Sequence, residues 1–367
     1  MKRNGNRNRK QIYRPATMLC LCLLTALCLL TVMHAVAPSH AADHELPLVQ
    51  RAHYIMGTVF EIEAYGEDAD QTAAAVEEAF AVIRRADEIM SDYREESELS
   101  RLNREGAGRL VPLSADLYGI LRTSVDYSRL TDSAFDVTVG ALVDAWRQAA
   151  KRGRRLDEAE RRRVLALVGH SRLSLEESAQ AARFDRPGVR VDLGGIAKGW
   201  AVDRAADVLR RRGMERALIS SGTSSIYALG APPGQTAWKI ALRHPLREDD
   251  LLAVVSLRDQ SVSTSGDYEQ TRTIAGKPVS HILDPRNGMP VETMWSATVI
   301  APTAEESDAL STAAFVLGLD RAERLLRQRG LSAILVGKGS RKNEMVVRKI
   351  AAAGETVPWA DGNDERR

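Results

Sequence analysis

Between Ala217 and Leu283 the chain offers six short strand-like runs separated by turn residues, with no helical stretch among them. The runs are 217–220, 225–229, 238–242, 253–257, 260–264 and 279–283. Parallel neighbours need a crossover of about a dozen or more residues, usually a helix. None intervenes here, so these strands must pair mostly as antiparallel hairpins. Helical spacing dominates elsewhere. Residues 70–90 place Val76, Phe80, Ile83 and Met90 on one face. Further helices are expected at 113–130, 139–150, 196–212 (ended by Gly213), 304–317 and 321–329, and 151–167 reads as a helix with a solvated basic face. Additional strands are expected near 59–64, 189–193, 296–300, 331–336 and 344–347. Helices grouped around antiparallel strands define the α+β class. With 367 residues, 44% of them hydrophobic, a large core is available. No repeat or long linker divides the chain, so residues 43–350 read as one domain and 351–367 as a frayed polar tail.

Charge is unevenly distributed. Residues 1–41 hold Lys2, Arg3, Arg7, Arg9, Lys10 and Arg14 and no acid. Setting those six aside reduces the 51 Lys and Arg to 45 against 49 Asp and Glu, turning a net +2 into −4. An acidic body with 5% aromatic residues has neither the basic face nor the stacking surface of a nucleic-acid binder. After Arg14 comes an apolar run, 18–36, and then Ser39-His40-Ala41-Ala42. This is the layout of an export signal cut before Ala42, or of an uncleaved anchor. Either reading places the body in the periplasm or on the outer face of the cytoplasmic membrane. Cys20, Cys22 and Cys28 all lie in the apolar run, so a cleaved chain has no thiol for a disulfide, nucleophile or metal site.

Three constellations could carry chemistry. Asp192-Leu193-Gly194-Gly195-Ile196-Ala197-Lys198-Gly199 joins an extended segment to a helix. Paired glycines there either let a phosphate reach helix N–H groups or simply make the turn. In Ser280-His281-Ile282-Leu283-Asp284-Pro285-Arg286-Asn287-Gly288, a histidine expected at a strand end is either a general base or a turn cap. In Ser307-Asp308-Ala309-Leu310-Ser311-Thr312, Asp308 and Thr312 lie four apart on one helix face. They are either oxygen ligands for Mg²⁺ or ordinary polar residues of a solvated face. Two upstream patches, 90–103 and 135–140, set acids and hydroxyls at element ends, which fits a polar ligand or plain capping.

In this order, with Met56-Gly57-Thr58 preceding them, the six patches resemble the ApbE family of flavin transferases over roughly residues 50–340. The resemblance implies a T-fold-related domain and an enzyme that moves FMN from FAD to a threonine of a partner protein, releasing AMP. It implies Mg²⁺ as cofactor, and as acceptors FMN-binding subunits of membrane electron-transfer complexes. By motif match, Met56, Tyr93, Ala134, Phe135, Asp136, Asp192, Lys198 and Leu283 should line the FAD site. Gly195, Asp308 and Thr312 should hold the metal, and His281 should be the base, with Asp284 next in line. Ser220-Ser221-Gly222-Thr223-Ser224 stands where many relatives have Asn-x-Gly-Gly-Asp, so contacts there do not carry over. A hydrolase that yields FMN and AMP, or a non-catalytic flavin-binding protein, are the alternatives.

Overall fold

The computed structural model describes residues 46–247, 249–266, 271–341, 344–352 and 359–361, the last three and Thr271, Arg272 and Lys277 by backbone only. The export segment, its cysteines and most of the tail lie outside these residues. No described helix is long and apolar enough to cross a membrane.

The domain is α+β, as the strand spacing predicts. Its centre is an eight-stranded sheet ordered β1-β2-β6-β7-β10-β15-β16-β17, every neighbouring pair antiparallel. The strands are β1 (Leu48–Ile55), β2 (Thr58–Tyr65), β6 (Arg216–Ser221), β7 (Ser225–Leu229), β10 (Gln260–Gly266), β15 (Met294–Ala301), β16 (Ser332–Lys338) and β17 (Met345–Ile350). Three helices cover one face: α1 (Ala69–Met90), α6 (Ala197–Arg211) and α7 (Ala304–Arg329). The other face carries a second sheet of β8 (Trp238–Arg243), β9 (Leu251–Leu257) and β18 (Trp359–Asp361). Strand β18 falls in the stretch expected to be a frayed tail, yet it pairs antiparallel with β9.

Period-two alternation sorts side chains between these layers. In β16, Ala333 and Leu335 pack under α7 with Phe315, while Ile334 and Val336 join Trp238, Ile240 and Val255 on the opposite side. Strand β10 keeps this alternation but lines one face with hydroxyls: Val262 faces the second sheet, while Ser261, Ser263 and Ser265 face α7.

Other elements lie toward the chain's first half. They are α2 (Glu98–Glu105), α3 (Ala115–Leu130), α4 (Gly140–Arg152), α5 (Glu158–Leu165), and a small sheet of β3 (Val111–Pro112), β5 (Ala181–Phe184) and β4 (Leu173–Glu176). The region 151–167 is not one helix, because Gly153, with φ 69°, ends α4 and a capping box at Asp157 and Glu160 starts α5. The segment 189–193 is not a strand either; only Arg190 bridges, to Val139. Two ribbons, β11 (Thr271–Ile274) with β12 (Lys277–Ser280) and β13 (Leu283–Asp284) with β14 (Met289–Pro290), link β10 to β15.

Candidate active site

The registers bring several turns to one end of the main sheet. Ile55 pairs with Thr58 at the β1–β2 turn, Ser221 with Ser225 at the β6–β7 turn, and Gly266 with Ser296 where β10 meets β15. The turns touch. Gly222 N–H donates to the Val59 carbonyl at 2.7 Å, and Thr264 N–H donates to the Ser224 carbonyl at 2.9 Å. The β6–β7 turn that departs from the family pattern therefore sits between Met56-Gly57-Thr58 and Ser265. Met56 itself has φ 51° ahead of Gly57 at 76°, the paired positive values of a tight hairpin turn. A non-glycine residue held there at the rim of a site is a strained position.

Beside these turns, α6 and α7 meet at their N-terminal ends. A Cβ on Gly199 would lie 2.1 Å from the Ala304 carbonyl oxygen and 2.8 Å from Asp308 Cβ, so only glycine permits this crossing. A Cβ on Gly195 would lie 3.1 Å from Thr312 Oγ1 and 3.4 Å from the Phe135 ring. Gly195, Thr312 and Phe135 are thus neighbours, although 177 positions separate the first and last by number.

Asp308 is 3% exposed and accepts the Gly199 N–H at 2.9 Å. Gly199 is the third residue of α6, so its N–H is one of the helix-start donors without an intrahelical acceptor, and Asp308 satisfies it. Gly195 precedes the N-cap Ile196, so its carbonyl stands outside the helical ladder. Burial pushes the Asp308 carboxyl upward, while the Lys198 ammonium, the Gly199 N–H and the nearby Ser225 hydroxyl oppose this. Ser225 Oγ is itself buried without a hydrogen-bond partner of normal geometry. A buried carboxylate with one backbone donor, a hydroxyl and a carbonyl outside the helical ladder together form an oxygen-only donor set. This set fits Mg²⁺, which keeps waters and takes phosphate oxygens as further ligands. No group of three His, Cys, Asp or Glu side chains suited to a metal occurs among the described residues.

The remaining candidates divide into those that face outward and those that hold the frame. Asp192 Oδ1 accepts the Gly194 N–H at 2.8 Å, and Lys198 Nζ donates to the Gly194 carbonyl at 3.0 Å. No side chain caps α6 at its own N-cap, Ile196. Tyr93 is 76% exposed, with its hydroxyl 2.5 Å from Arg147 Nη2 and its ring 4.7 Å below that guanidinium. Arg147, which no sequence pattern singled out, also lies 3.5 Å from Asp92. Burial and the Asp192 charge raise the Asp92 carboxyl, and Arg147 counters them.

Asp136 is part of the frame. Its carboxylate accepts from Thr138 N–H (2.9 Å), Thr138 hydroxyl (2.6 Å) and His170 N–H (2.7 Å), so both oxygens are engaged within the fold. Ala134 and Phe135 beside it are buried, with their N–H groups bonded to Thr131. Asn103, in the 90–103 patch, is likewise a strut, pairing with Val191 through both its amide groups at 2.9 and 2.7 Å.

His281 lies in a bend between β12 and β13, not in a strand. Its neighbours anchor it. Ile282 packs with Ala134 and Phe315, and Leu283 is buried with Trp146, Leu142 and Val279. Asp284 is not a spare base: it accepts from Arg286 N–H (2.9 Å), Nε (2.8 Å) and Nη2 (2.8 Å) and from Asn287 Nδ2 (3.1 Å). That carboxylate folds the turn and leaves His281 as the titratable group of the motif.

An antiparallel α+β domain with a paired-glycine helix junction and a cluster of oxygen donors has the chemistry to take a phosphorylated ligand. The ApbE family model matches residues 56–335, and the chain belongs to the ApbE family. It is 30% identical over 307 residues to the FAD:protein FMN transferase of Escherichia coli K12, covering 82% of this chain and 87% of that protein. The apo flavinyl transferase ApbE of Pseudomonas stutzeri superposes with a TM-score of 0.73 at 27% identity, over 84% of this chain and 96% of that one. The ApbE protein of Thermotoga maritima superposes with a TM-score of 0.74 at 27% identity, over 83% and 97%.

Proposed function

We propose that this chain transfers FMN from FAD to a threonine hydroxyl of a partner protein, with AMP as the second product and Mg²⁺ as the required ion. The observation that carries the reading is the convergence of Phe135, Gly195, Thr312 and Asp308 where α6 and α7 cross. A carboxylate, a hydroxyl and a carbonyl outside the helical ladder are gathered there as a set of oxygen donors. The naming of the relatives as FAD:protein FMN transferases supports the choice of substrate.

Asp308, Thr312 and the Gly195 carbonyl would hold Mg²⁺, which when bound neutralises charge on the pyrophosphate oxygens. Gly194 and Gly195, with Lys198 one turn on, receive the phosphates. Tyr93, with Arg147 behind it, and the Ala134–Phe135 backbone border the flavin. The acceptor hydroxyl oxygen bonds to the FMN phosphorus, and the bond from that phosphorus to the bridging oxygen breaks. AMP departs with that oxygen, and the hydroxyl proton passes to His281. The acceptor belongs to the FMN-binding subunits of membrane electron-transfer complexes, and the leader at 1–41 delivers the body to the periplasmic side to meet it.

The test is AMP release from FAD and Mg²⁺ with and without an acceptor domain. AMP should form only when the acceptor is present. Free FMN and AMP without it would make water the nucleophile and the chain a hydrolase. Intact FAD in both reactions would leave a flavin-binding protein.

A further inference from the structure

We propose that Ser265 and Ser311 are positioning residues for the Thr312 hydroxyl, acting through a hydrogen-bond relay of fixed direction. The proposal rests on the reading of Asp308, Thr312 and Gly195 as cation ligands. The relay joins strand β10 to helix α7. Ser311 Oγ donates to the Asp308 backbone carbonyl at 3.0 Å. A carbonyl only accepts, so the single proton of Ser311 is committed there. Ser265 Oγ lies 2.9 Å from Ser311 Oγ and must therefore donate to it. Ser265 also has one proton, so across its 3.3 Å contact with Thr312 Oγ1 it accepts and Thr312 donates. The order is Thr312 to Ser265 to Ser311 to the Asp308 carbonyl. Ser265 is 8% exposed and Ser311 fully buried, so water does not compete to reverse it.

The direction matters at the far end. With its proton turned toward β10, Thr312 keeps its lone pairs for the side where the Gly195 backbone approaches. A cation is attracted to lone pairs and repelled by a hydroxyl proton, so the relay selects the rotamer that can ligate. A second trio provides an internal control. Ser307 donates to the Ala304 carbonyl (3.1 Å) and Ser261 to the Ile226 carbonyl (2.8 Å), while Ser263 contacts Ser307 at 2.6 Å. It ties the same strand to the same helix, but none of its hydrogen bonds reaches Thr312.

The experiment titrates Mg²⁺ into FAD-saturated protein by calorimetry, with FAD binding measured separately in chelator and thermal unfolding recorded without metal. Ser265→Ala and Ser311→Ala should each weaken Mg²⁺ binding about tenfold or more, the scale of groups that orient a metal ligand. FAD affinity in chelator should not change. The double variant should be no weaker than Ser265→Ala, because one relay can be broken only once. Ser265→Thr should restore binding and Ser263→Ala should match the wild type. Ser311 touches none of the proposed ligating atoms, so wild-type Mg²⁺ affinity in Ser311→Ala, or an additive loss in the double variant, would overturn the relay. Asp308→Ala separates the two levels. If it too binds Mg²⁺ normally, the cation site lies elsewhere; if it alone loses Mg²⁺, only the relay fails.

Discussion

The crossing of α6 and α7 and the bend that carries His281 are built on opposite principles. At the crossing, backbones meet at glycine, Asp308 is buried, and hydrogen bonds run between elements 109 positions apart, as from Gly199 to Asp308. At the bend, two two-stranded ribbons carry a partly exposed histidine; Asp284 ties the turn to Arg286 and Asn287 two and three residues on, and Ile282 and Leu283 pack it against Phe315 and Trp146. The first holds a buried charge. The second presents a side chain at the surface. Binding of the donor and activation of the acceptor are thus assigned to separate parts of the fold, and that division makes them separable by mutation.

The largest effect is expected at the crossing. Asp308→Ala removes the only formal charge among the three proposed cation ligands, so metal-dependent turnover should fall by several kcal/mol of barrier, about 10³-fold. Normal turnover at low Mg²⁺ would break the comparison outright. His281→Ala should slow transfer by about 10²–10⁴-fold while FAD affinity stays near wild type. In a plot of rate against pH, the limb that rises through the histidine pKa in the wild type should flatten in the variant. Loss of FAD binding instead would make His281 part of the frame and erase the distinction.

Stability effects come next. Gly199→Ala forces a methyl to within 2.1 Å of the Ala304 carbonyl and should cost about 1–3 kcal/mol, seen as a lower unfolding midpoint in denaturant. A variant as stable as the wild type would mean the crossing is looser than described.

The smallest effect concerns the start of α7, where Asp203 of α6 accepts the N–H groups of Ala304 (2.8 Å) and Glu305 (2.9 Å). Burial pushes Asp203 to about 6, and burial with the Asp203 charge pushes Glu305 to about 7. Both acids hold protons more tightly when folded, so the pair's contribution to stability is fullest below about pH 4 and declines as pH rises toward 7. Glu305→Gln should therefore raise the melting temperature by a few degrees at pH 8 and change it little at pH 5. Equal shifts at both pH values would remove the carboxylate pair from the account.

What could be read in advance follows the range of the forces involved. The helix break between 317 and 321 was visible in the sequence because glycine is a local signal. Gly318 adopts φ 73° and ψ 175° inside α7, which is otherwise one helix. The hairpin order was visible for the same reason. The short sheet of β3, β5 and β4 was not, since its strands have two to four residues and no periodicity to show. Motif match named the proposed cation ligands, but that Asp308 also takes the Gly199 N–H depends on a partner from another helix. Asn103 and Arg147 became legible only once Val191 and Tyr93 were placed beside them. One missed signal was present: serines at 261, 263 and 265 occupy every second position of a strand where a buried face would normally be apolar.

The central claim is that a protein hydroxyl, not water, receives the FMN. The direct measurement is the intact mass of an FMN-binding acceptor domain with a Ser/Thr-Gly-Ala-Thr type motif, after incubation with the mature chain, FAD and Mg²⁺. The domain should gain the mass of FMN less one water, on the motif threonine, with one AMP released per modified domain. An unmodified domain alongside accumulating free FMN and AMP would contradict the account.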